Sequence, residues 1–291
     1  GGLKGARVAV LCYNAQPDVE ELRVLKTFLD AGGKLVVCYS ASDRLAKLMD
    51  VRLGPLVTSE EPGQWASMSF DKARAKHFPA LVYDVAWNLL LAGPGSESSA
   101  SIATWNTARG ASANRVACVR SRNGFWLSHV LRGGDPSGMK SMILAMLGEC
   151  WPKVWRIAAC HALQTAGCID PADDLRETLD GLRNMNAEVG NPAVKSRLSR
   201  VPMLHRQMTR EFVRGDYPAV MEVSATLHQR MVEAYGILQP ARRNEFRGVW
   251  DHDGVGWVPG DWSMTCRILS QNGINAVFPN LAWPSKAHYP S

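Results

Sequence analysis

The sequence predicts an α/β protein whose first part is layered on a parallel sheet. The β-branched run at 7–12 (RVAVLC) is typical of a strand that is buried on both faces. Apolar residues at helical spacing follow at 18–30, Gly32-Gly33 ends that helix, and 34–39 (KLVVCY) predicts a second buried strand. Strand, helix and strand in this order form a βαβ unit, which implies parallel strands.

Further patterns extend this domain to residue 150. Strand-like runs at 115–120 and 125–130 precede an amphipathic helix pattern at 138–147. Residues 52–114 show no pattern clear enough for an assignment. We therefore expect residues 1–150 to form one α/β domain.

The pattern changes in the rest of the chain. From 151 to 244 apolar residues recur with a period of 3.6, which predicts a connector of three to five helices. Strand patterns return at 246–250 and 274–279, on either side of a helix expected at 261–271. Residues 245–291 are thus predicted to contain a second βαβ unit.

Composition and charge exclude several classes of protein. The 291 residues are 46% hydrophobic and 21% charged, which is typical of globular domains and not of disordered, collagenous or coiled-coil chains. No apolar run approaches the roughly 18 residues of a transmembrane helix, and no signal segment is recognised at the start. The net charge is +6, but acidic residues interrupt the basic stretch at 195–214, so we expect no nucleic-acid partner.

Motifs for cofactors and metals are missing from the sequence. It contains no GxGxxG, Walker, GxSxG or HExxH motif and no CxxC or Cys/His ligand spacing, so neither a cofactor nor a metal is predicted. The seven cysteines are an odd number, and four lie in apolar runs. Free structural thiols are the expected interpretation.

Polar and aromatic side chains cluster near the C-terminus. Asp251 and His252 follow one predicted strand and Asn280 follows the next, so the carboxyl ends of parallel strands bring them to one edge. Arg247 and Trp283 complete the candidate site. Aromatic rings beside carboxylates and amides suit sugars, whose apolar faces stack while their hydroxyls form hydrogen bonds. The alternative is that the tryptophans belong to the core and the carboxylates cap a loop.

The same region resembles the opening of a known barrel family. Residues 245–252 (EFRGVWDH), 259–262 (PGDW), 273–280 (GINAVFPN) and 288–291 (HYPS) resemble, in order and spacing, the start of the glycosyl-hydrolase-like family ten barrel. The resemblance covers about 46 residues. It implies that 245–291 is the first βαβ unit of a truncated (β/α)₈ TIM barrel.

The resemblance also implies roles for the five site residues. They would line the sugar-binding mouth of the barrel, where the carboxyl ends of its strands meet. Asp251 and His252 would form hydrogen bonds with sugar hydroxyls, and Trp283 would stack on a sugar ring.

A shorter resemblance concerns the first domain. Tyr13-Asn14, residues 31–35 (AGGKL) and the strand–turn–helix pattern at 115–147 are similar to class I amidotransferase-like domains, which have a flavodoxin-like parallel sheet and occur as accessory modules of glycosidases. Together the two resemblances imply the N-terminal part of a large bacterial glycoside-hydrolase-like protein that acts on or binds polysaccharide.

We expect this stretch to be inactive by itself. A barrel takes about 250 residues. Glycoside hydrolysis needs two carboxylates, which barrel glycosidases usually place on later strands. The catalytic residues therefore stay unassigned.

Two other functions stay open. The α/β domain could be a non-catalytic binding or oligomerisation module, which would make the protein a homo-oligomer. A Cys-dependent amidohydrolase would use Cys38 on a strand-to-helix elbow, but Val37 and Tyr39 flank it where an elbow requires small residues. The compartment also stays open, because attack on polysaccharide implies export whereas an odd thiol count fits a reducing compartment.

Overall fold

The structure, a computed structural model, describes residues 3–239, 244–283 and 286–287. For Trp283 and for 286–287 the description is of the backbone alone. The chain divides into two compact units, of which one comprises Gly1–Trp151 with Glu245–Ser291 and the other Pro152–Asn244.

The first unit begins with a mixed α/β structure built on a curved succession of strands. It has nine strands and three helices within the described part of residues 1–151. In chain order these are β1 (Val8–Leu11), α1 (Val19–Asp30), β2 (Lys34–Cys38), α2 (Asp43–Leu48), β3 (Val51–Thr58), β4 (Ser67–Phe70), β5 (Leu81–Tyr83), β6 (Asn88–Pro94), β7 (Ala100–Asn106), β8 (Ser112–Ser121), β9 (Gly124–Leu127) and α3 (Pro136–Cys150).

Seven of these strands form one sheet in the order β1-β2-β9-β8-β7-β4-β5, and β3 pairs with β6. The α/β class is confirmed. The prediction of a parallel sheet is correct for β1, β2 and β9 and wrong for the other strands, which pair antiparallel. The reason is local at β8 and β9: only two residues separate these strands, and so short a connection allows only antiparallel pairing.

Helix α1 covers one face of the parallel strands. Asp18 caps it by accepting the Glu21 N–H at 2.7 Å, while the Glu21 carboxylate accepts the Asp18 N–H at 2.8 Å. The buried side chains of Leu25 and Phe28 pack in a core with Val37 and other residues of β2, α2 and β9. The capping box and the apolar spacing explain why this helix is readable from the sequence.

The second unit is helical, as the 3.6-residue period predicts. Its described residues form five helices: α4 (Lys153–Thr165), α5 (Leu175–Val189), α6 (Pro192–Ser199), α7 (Val201–Arg214) and α8 (Tyr217–Leu238). Buried side chains of α8, among them Val220, Leu227 and Met231, form a core with the other four helices. No helix in the described ranges has the length and apolarity needed to cross a membrane.

The C-terminal segment of the first unit contains the second predicted strand–helix–strand unit. β10 and β11 pair in parallel, with Trp250 opposite Phe278, and β12 pairs antiparallel with β13. The elements are β10 (Gly248–Asp251), α9 (Trp262–Gln271), β11 (Ala276–Pro279), β12 (Ala282–Trp283) and β13 (Lys286–Ala287).

Candidate functional site

The candidate site is the loop Asp251–Gly260, which we call the β10–α9 loop. It leaves the carboxyl end of β10 and leads into α9. Asn280 follows β11, and its backbone N–H donates to the Asp251 carbonyl at 2.8 Å. The structure thus brings Asp251 and Asn280 together at one edge, because parallel strands end on the same side.

The Asp251 carboxylate organises the loop that follows it. Its Oδ1 accepts the Gly254 N–H at 3.2 Å and its Oδ2 accepts the Gly256 N–H at 2.7 Å. Asp251 therefore caps the loop, as the alternative interpretation of the carboxylates predicts. Each carboxylate oxygen still has a further lone pair that can accept a hydrogen bond.

Replacing Asp251 with alanine is expected to loosen this loop. The N–H groups of Gly254 and Gly256 would lose their acceptor while partly buried, which costs about 1–2 kcal/mol. Hydrogen–deuterium exchange measures the effect, and the Gly256 amide is expected to exchange about tenfold faster. Asp251→Asn keeps one acceptor oxygen, so its Gly256 amide should exchange at a rate between those of the wild type and Asp251→Ala. Unchanged Gly256 exchange in Asp251→Ala would contradict this account of the loop.

Packing beneath the loop fixes its shape. Val255 is buried, and the buried Thr265 of α9 accepts the Val258 N–H on its Oγ1 at 3.0 Å. The Gly260 N–H donates to the Val255 carbonyl at 2.8 Å. The loop is therefore closed on itself and on the first turn of α9.

Two contacts join the β10–α9 loop to the α/β part of the same unit. Arg132 Nη2 lies 3.2 Å from both carboxylate oxygens of Asp253. Gly63 approaches Pro259 so closely that a Cβ on Gly63 would lie 2.9 Å from the Pro259 Cβ. The loop is thus held by residues more than 100 positions away in the chain.

The outer side of the loop presents His252 and Trp257 to solvent. Trp257 is 69% exposed, and the His252 Nδ1 lies 3.6 Å from Asp253 Oδ1. The His252 ring also contacts Trp250, with ring centroids 5.7 Å apart. A histidine, a carboxylate and an indole are therefore neighbours on an accessible surface.

One face of the β10–β11 pair is aromatic and exposed. Trp250 is 72% exposed and lies opposite Phe278, whose ring centroid is 5.9 Å from that of Phe246. The alternative that Trp250 is a core residue is therefore wrong for the described structure. This face was not recognised from the sequence, although the alternation of Phe246, Gly248 and Trp250 would have indicated it.

Of the other two predicted site residues, Arg247 is not brought to the loop. Arg247 precedes β10, at the end opposite to Asp251, and forms an ion pair with Glu245 at 2.6 Å. Its backbone N–H donates to Asn275 Oδ1 at 2.8 Å. Trp283 lies in β12, and its side chain is outside the described residues, as is the 288–291 motif.

Cys38 is the last residue of β2 and is almost fully buried. Burial, with a smaller contribution from Cys12, raises the pKa of the Cys38 thiol to about 12. The left-handed backbone conformation that an elbow requires is found at the next residue, Tyr39, with φ of 58°. Neither the acidity nor the backbone of Cys38 is that of an activated nucleophile.

Alkylation of Cys38 is expected to be slow. At pH 8 a thiol with a pKa near 12 has roughly a thousandfold less thiolate than an ordinary thiol. The rate at Cys38 should rise with pH up to about 12, because the thiolate is the reactive form. Mass spectrometry after iodoacetamide treatment measures it, with the exposed Cys160 as internal control. Modification of Cys38 near pH 6 as fast as Cys160 would support the amidohydrolase alternative instead.

The structure contains a buried ionisable pair that the sequence does not predict. His129 Nε2 lies 2.7 Å from Asp84 Oδ2, and both side chains are at most 3% exposed. The same carboxylate oxygen accepts the backbone N–H of Arg132 at 3.2 Å, and Trp105 contacts the imidazole edge-on. The pair therefore fixes the segment that carries Arg132 toward Asp253. No sequence signal marked it beyond a histidine after a strand.

The comparisons with known proteins assign no family to the chain. No family model matches it, and no curated protein matches it. Among solved structures, a ThuA-like protein from Bacteroides uniformis is similar to part of it, with a TM-score of 0.40 and 11% identity. That similarity covers 51% of this chain and 70% of the other.

Proposed function

We propose that this chain is the N-terminal part of a glycoside-hydrolase-like protein and that its β10–α9 loop binds polysaccharide. The observation that carries the proposal is that hydrogen bonds to Asp251 and Thr265 fix the loop, while Trp257 and His252 on the same loop are exposed to solvent. An exposed indole beside polar side chains offers the apolar face and the hydrogen-bonding groups that a sugar ring needs.

The chemistry of these side chains suits a sugar. The Trp257 ring offers a flat apolar surface for the C–H face of a pyranose. His252, Asp253 and Asn280 carry donors and acceptors for sugar hydroxyls, and the Asp251 oxygens keep lone pairs for the same purpose. By the family resemblance Trp283 would add a second ring.

The β10–α9–β11 unit supports assignment to the start of a barrel. Parallel strands are normally covered on both faces, yet Trp250 and Phe278 form an exposed aromatic face here. Further βα units would cover this face in a (β/α)₈ barrel and leave the loop after β10 at the mouth. The downstream reading frame tests this: about 200 residues with further βα units are expected, and a stop codon directly after Ser291 would contradict it.

Binding is tested by affinity electrophoresis against a panel of soluble polysaccharides. The chain should be retarded by at least one glycan, and Trp257→Ala should weaken binding about tenfold, the equivalent of one lost stacking contact. Tyr83→Ala is the matched control, because Tyr83 is a similarly exposed aromatic residue elsewhere in the same unit. Equal losses in the two variants, or no retardation of the wild type, would contradict the proposal.

A second candidate function is self-association of the α/β part. β1 forms one edge of the seven-stranded sheet, and Val10 within it is 45% exposed. An open, apolar edge strand can pair with a second copy. Light scattering over a wide concentration range should then show a dimer, and a monomer throughout would exclude this function.

A further inference from the structure

A cavity of about 270 Å³ lies between the sheet and α3, apart from the β10–α9 loop. It is located at the carboxyl ends of β1, β2 and β9, the edge at which α/β proteins bind ligands. Its walls are apolar side chains such as Val36, Leu127 and Ile143. Three of the lining side chains, those of Cys12, Cys38 and Met146, carry sulfur.

The two cysteines lie at the carboxyl ends of two adjacent strands. Cys12 directly follows β1 and Cys38 ends β2, and the paired residues Leu11 and Val37 immediately precede them. Adjacent strands are about 4.8 Å apart, and side chains at equivalent positions point to the same face. Both cysteines are free thiols, with Cys12 exposed and Cys38 buried. One thiol thus reaches solvent while the other faces the interior.

The residues that follow the two cysteines fix the strand ends. Tyr13 and Tyr39 stack with ring centroids 5.9 Å apart and planes inclined by 19°. Tyr39 has a left-handed φ of 58°, which is rare for a large side chain and costs energy. The strained residue Tyr39 thus directly follows the Cys38 thiol, and strain of this kind is concentrated at functional sites.

We propose that Cys12, Cys38 and Met146 form a site for a soft monovalent cation, Cu(I). Thiolate and thioether sulfur are the ligands that favour Cu(I) over harder cations. Zinc takes three or four Cys, His or carboxylate ligands and magnesium or calcium requires oxygen, and the described residues contain no group of three His, Cys, Asp or Glu that could hold a metal. An apolar cavity with three sulfur-bearing side chains in its wall fits an ion that accepts two or three soft ligands.

The binding step is a ligand exchange without oxidation. Cu(I) forms bonds to the sulfurs of Cys12 and Cys38, and both thiol protons pass to solvent. The Met146 sulfur donates a lone pair and loses no proton. Met146 is fully buried in α3 and lines the cavity from the helix.

The test is competition for Cu(I) between the reduced, anaerobic protein and bathocuproine disulfonate. The starting protein carries Cys160→Ser and Cys266→Ser, which remove exposed thiols that do not line the cavity. This protein should bind one equivalent of Cu(I) tightly. Cys12→Ser and Cys38→Ser should each lower the affinity about 100-fold, and Met146→Leu about tenfold, since losing one ligand costs at least as much as losing a supporting contact.

Several results would overturn the site. They are an affinity for Cu(I) equal to that of the starting protein in Cys12→Ser, Cys38→Ser or Met146→Leu, and the absence of tight Cu(I) binding in the starting protein itself. Circular dichroism melts confirm folding of each variant. Cys12 is exposed and Leu conserves the volume of Met, so Cys12→Ser and Met146→Leu decide the question even if Cys38→Ser is destabilised.

Discussion

Replacing Gly124 with alanine is expected to lower the free energy of unfolding by about 4 kcal/mol. Gly124 begins β9 with φ of 128°, and a Cβ there would lie 1.9 Å from the Leu35 carbonyl oxygen. That oxygen belongs to the backbone of β2, the parallel neighbour of β9, so it cannot move without separating the two strands. The substitution therefore combines backbone strain with a clash inside the sheet.

Gly110 provides a matched control for this substitution. It also has a left-handed φ, of 79°, but a Cβ there would meet nothing within 4 Å. Gly110→Ala should cost only the strain, about 1 kcal/mol. Urea denaturation followed by fluorescence measures both. Equal losses would show that the contact with Leu35 is not what requires glycine at Gly124.

Removing the Asp84 carboxylate is expected to cost about 3 kcal/mol, because it leaves buried groups without a partner. Asp84→Ala deprives the His129 Nε2 of its contact at 2.7 Å and the Arg132 N–H of its acceptor. The segment that carries Arg132 to Asp253 would also lose its anchor. Thermal and urea unfolding should both shift, and exchange of the Arg132 amide should accelerate.

Asp30→Ala is the control for a carboxylate in an exposed pair. Asp30 lies 2.6 Å from Lys26 and its side chain is 64% exposed, so its removal should change stability by less than about 0.5 kcal/mol. A loss in Asp84→Ala as small as that in Asp30→Ala would mean that the buried pair contributes little. The difference between the stability losses of the two variants thus measures how much the burial of the Asp84 carboxylate matters.

Local signals account for the parts of the fold that the sequence predicts. The capping residue Asp18, the apolar spacing in α1 and the run before Cys38 belong to single elements, and each is readable within a dozen residues. Residues 52–114 contain strands of three to eight residues, and β7 and β8 pair with register shifts at several positions. Such interrupted strands leave no regular alternation to detect.

The sequence predicts the wrong direction for the antiparallel strands of the sheet. A buried antiparallel strand such as β8, with Ala117, Cys118 and Val119 inside, has the same continuous apolar pattern as a parallel one. The pattern reports burial on both faces and contains nothing about the direction of the neighbour. The two-residue turn before Gly124 was the signal that would have corrected it.

The sequence predicts that Asp251 and Asn280 lie close together, but it does not predict how the β10–α9 loop is built. Strand order alone brings Asp251 and Asn280 together. The contact of Arg132 with Asp253 joins the loop to a residue 121 positions away. Long-range contacts of this kind leave no local pattern. Arg247 was grouped with the site by proximity in sequence, although four residues of strand take it to the opposite end.

Glycan binding at the β10–α9 loop is tested most directly by the indole N–H signals of the protein in NMR spectra during titration with a polysaccharide fragment that binds. The chain has ten tryptophans, and substitution to phenylalanine assigns the signals of Trp257 and of the buried Trp105. We predict that the Trp257 signal shifts in a saturable manner while that of Trp105 does not move. A saturable shift that leaves Trp257 unchanged would contradict the assignment of the β10–α9 loop as the glycan-binding site.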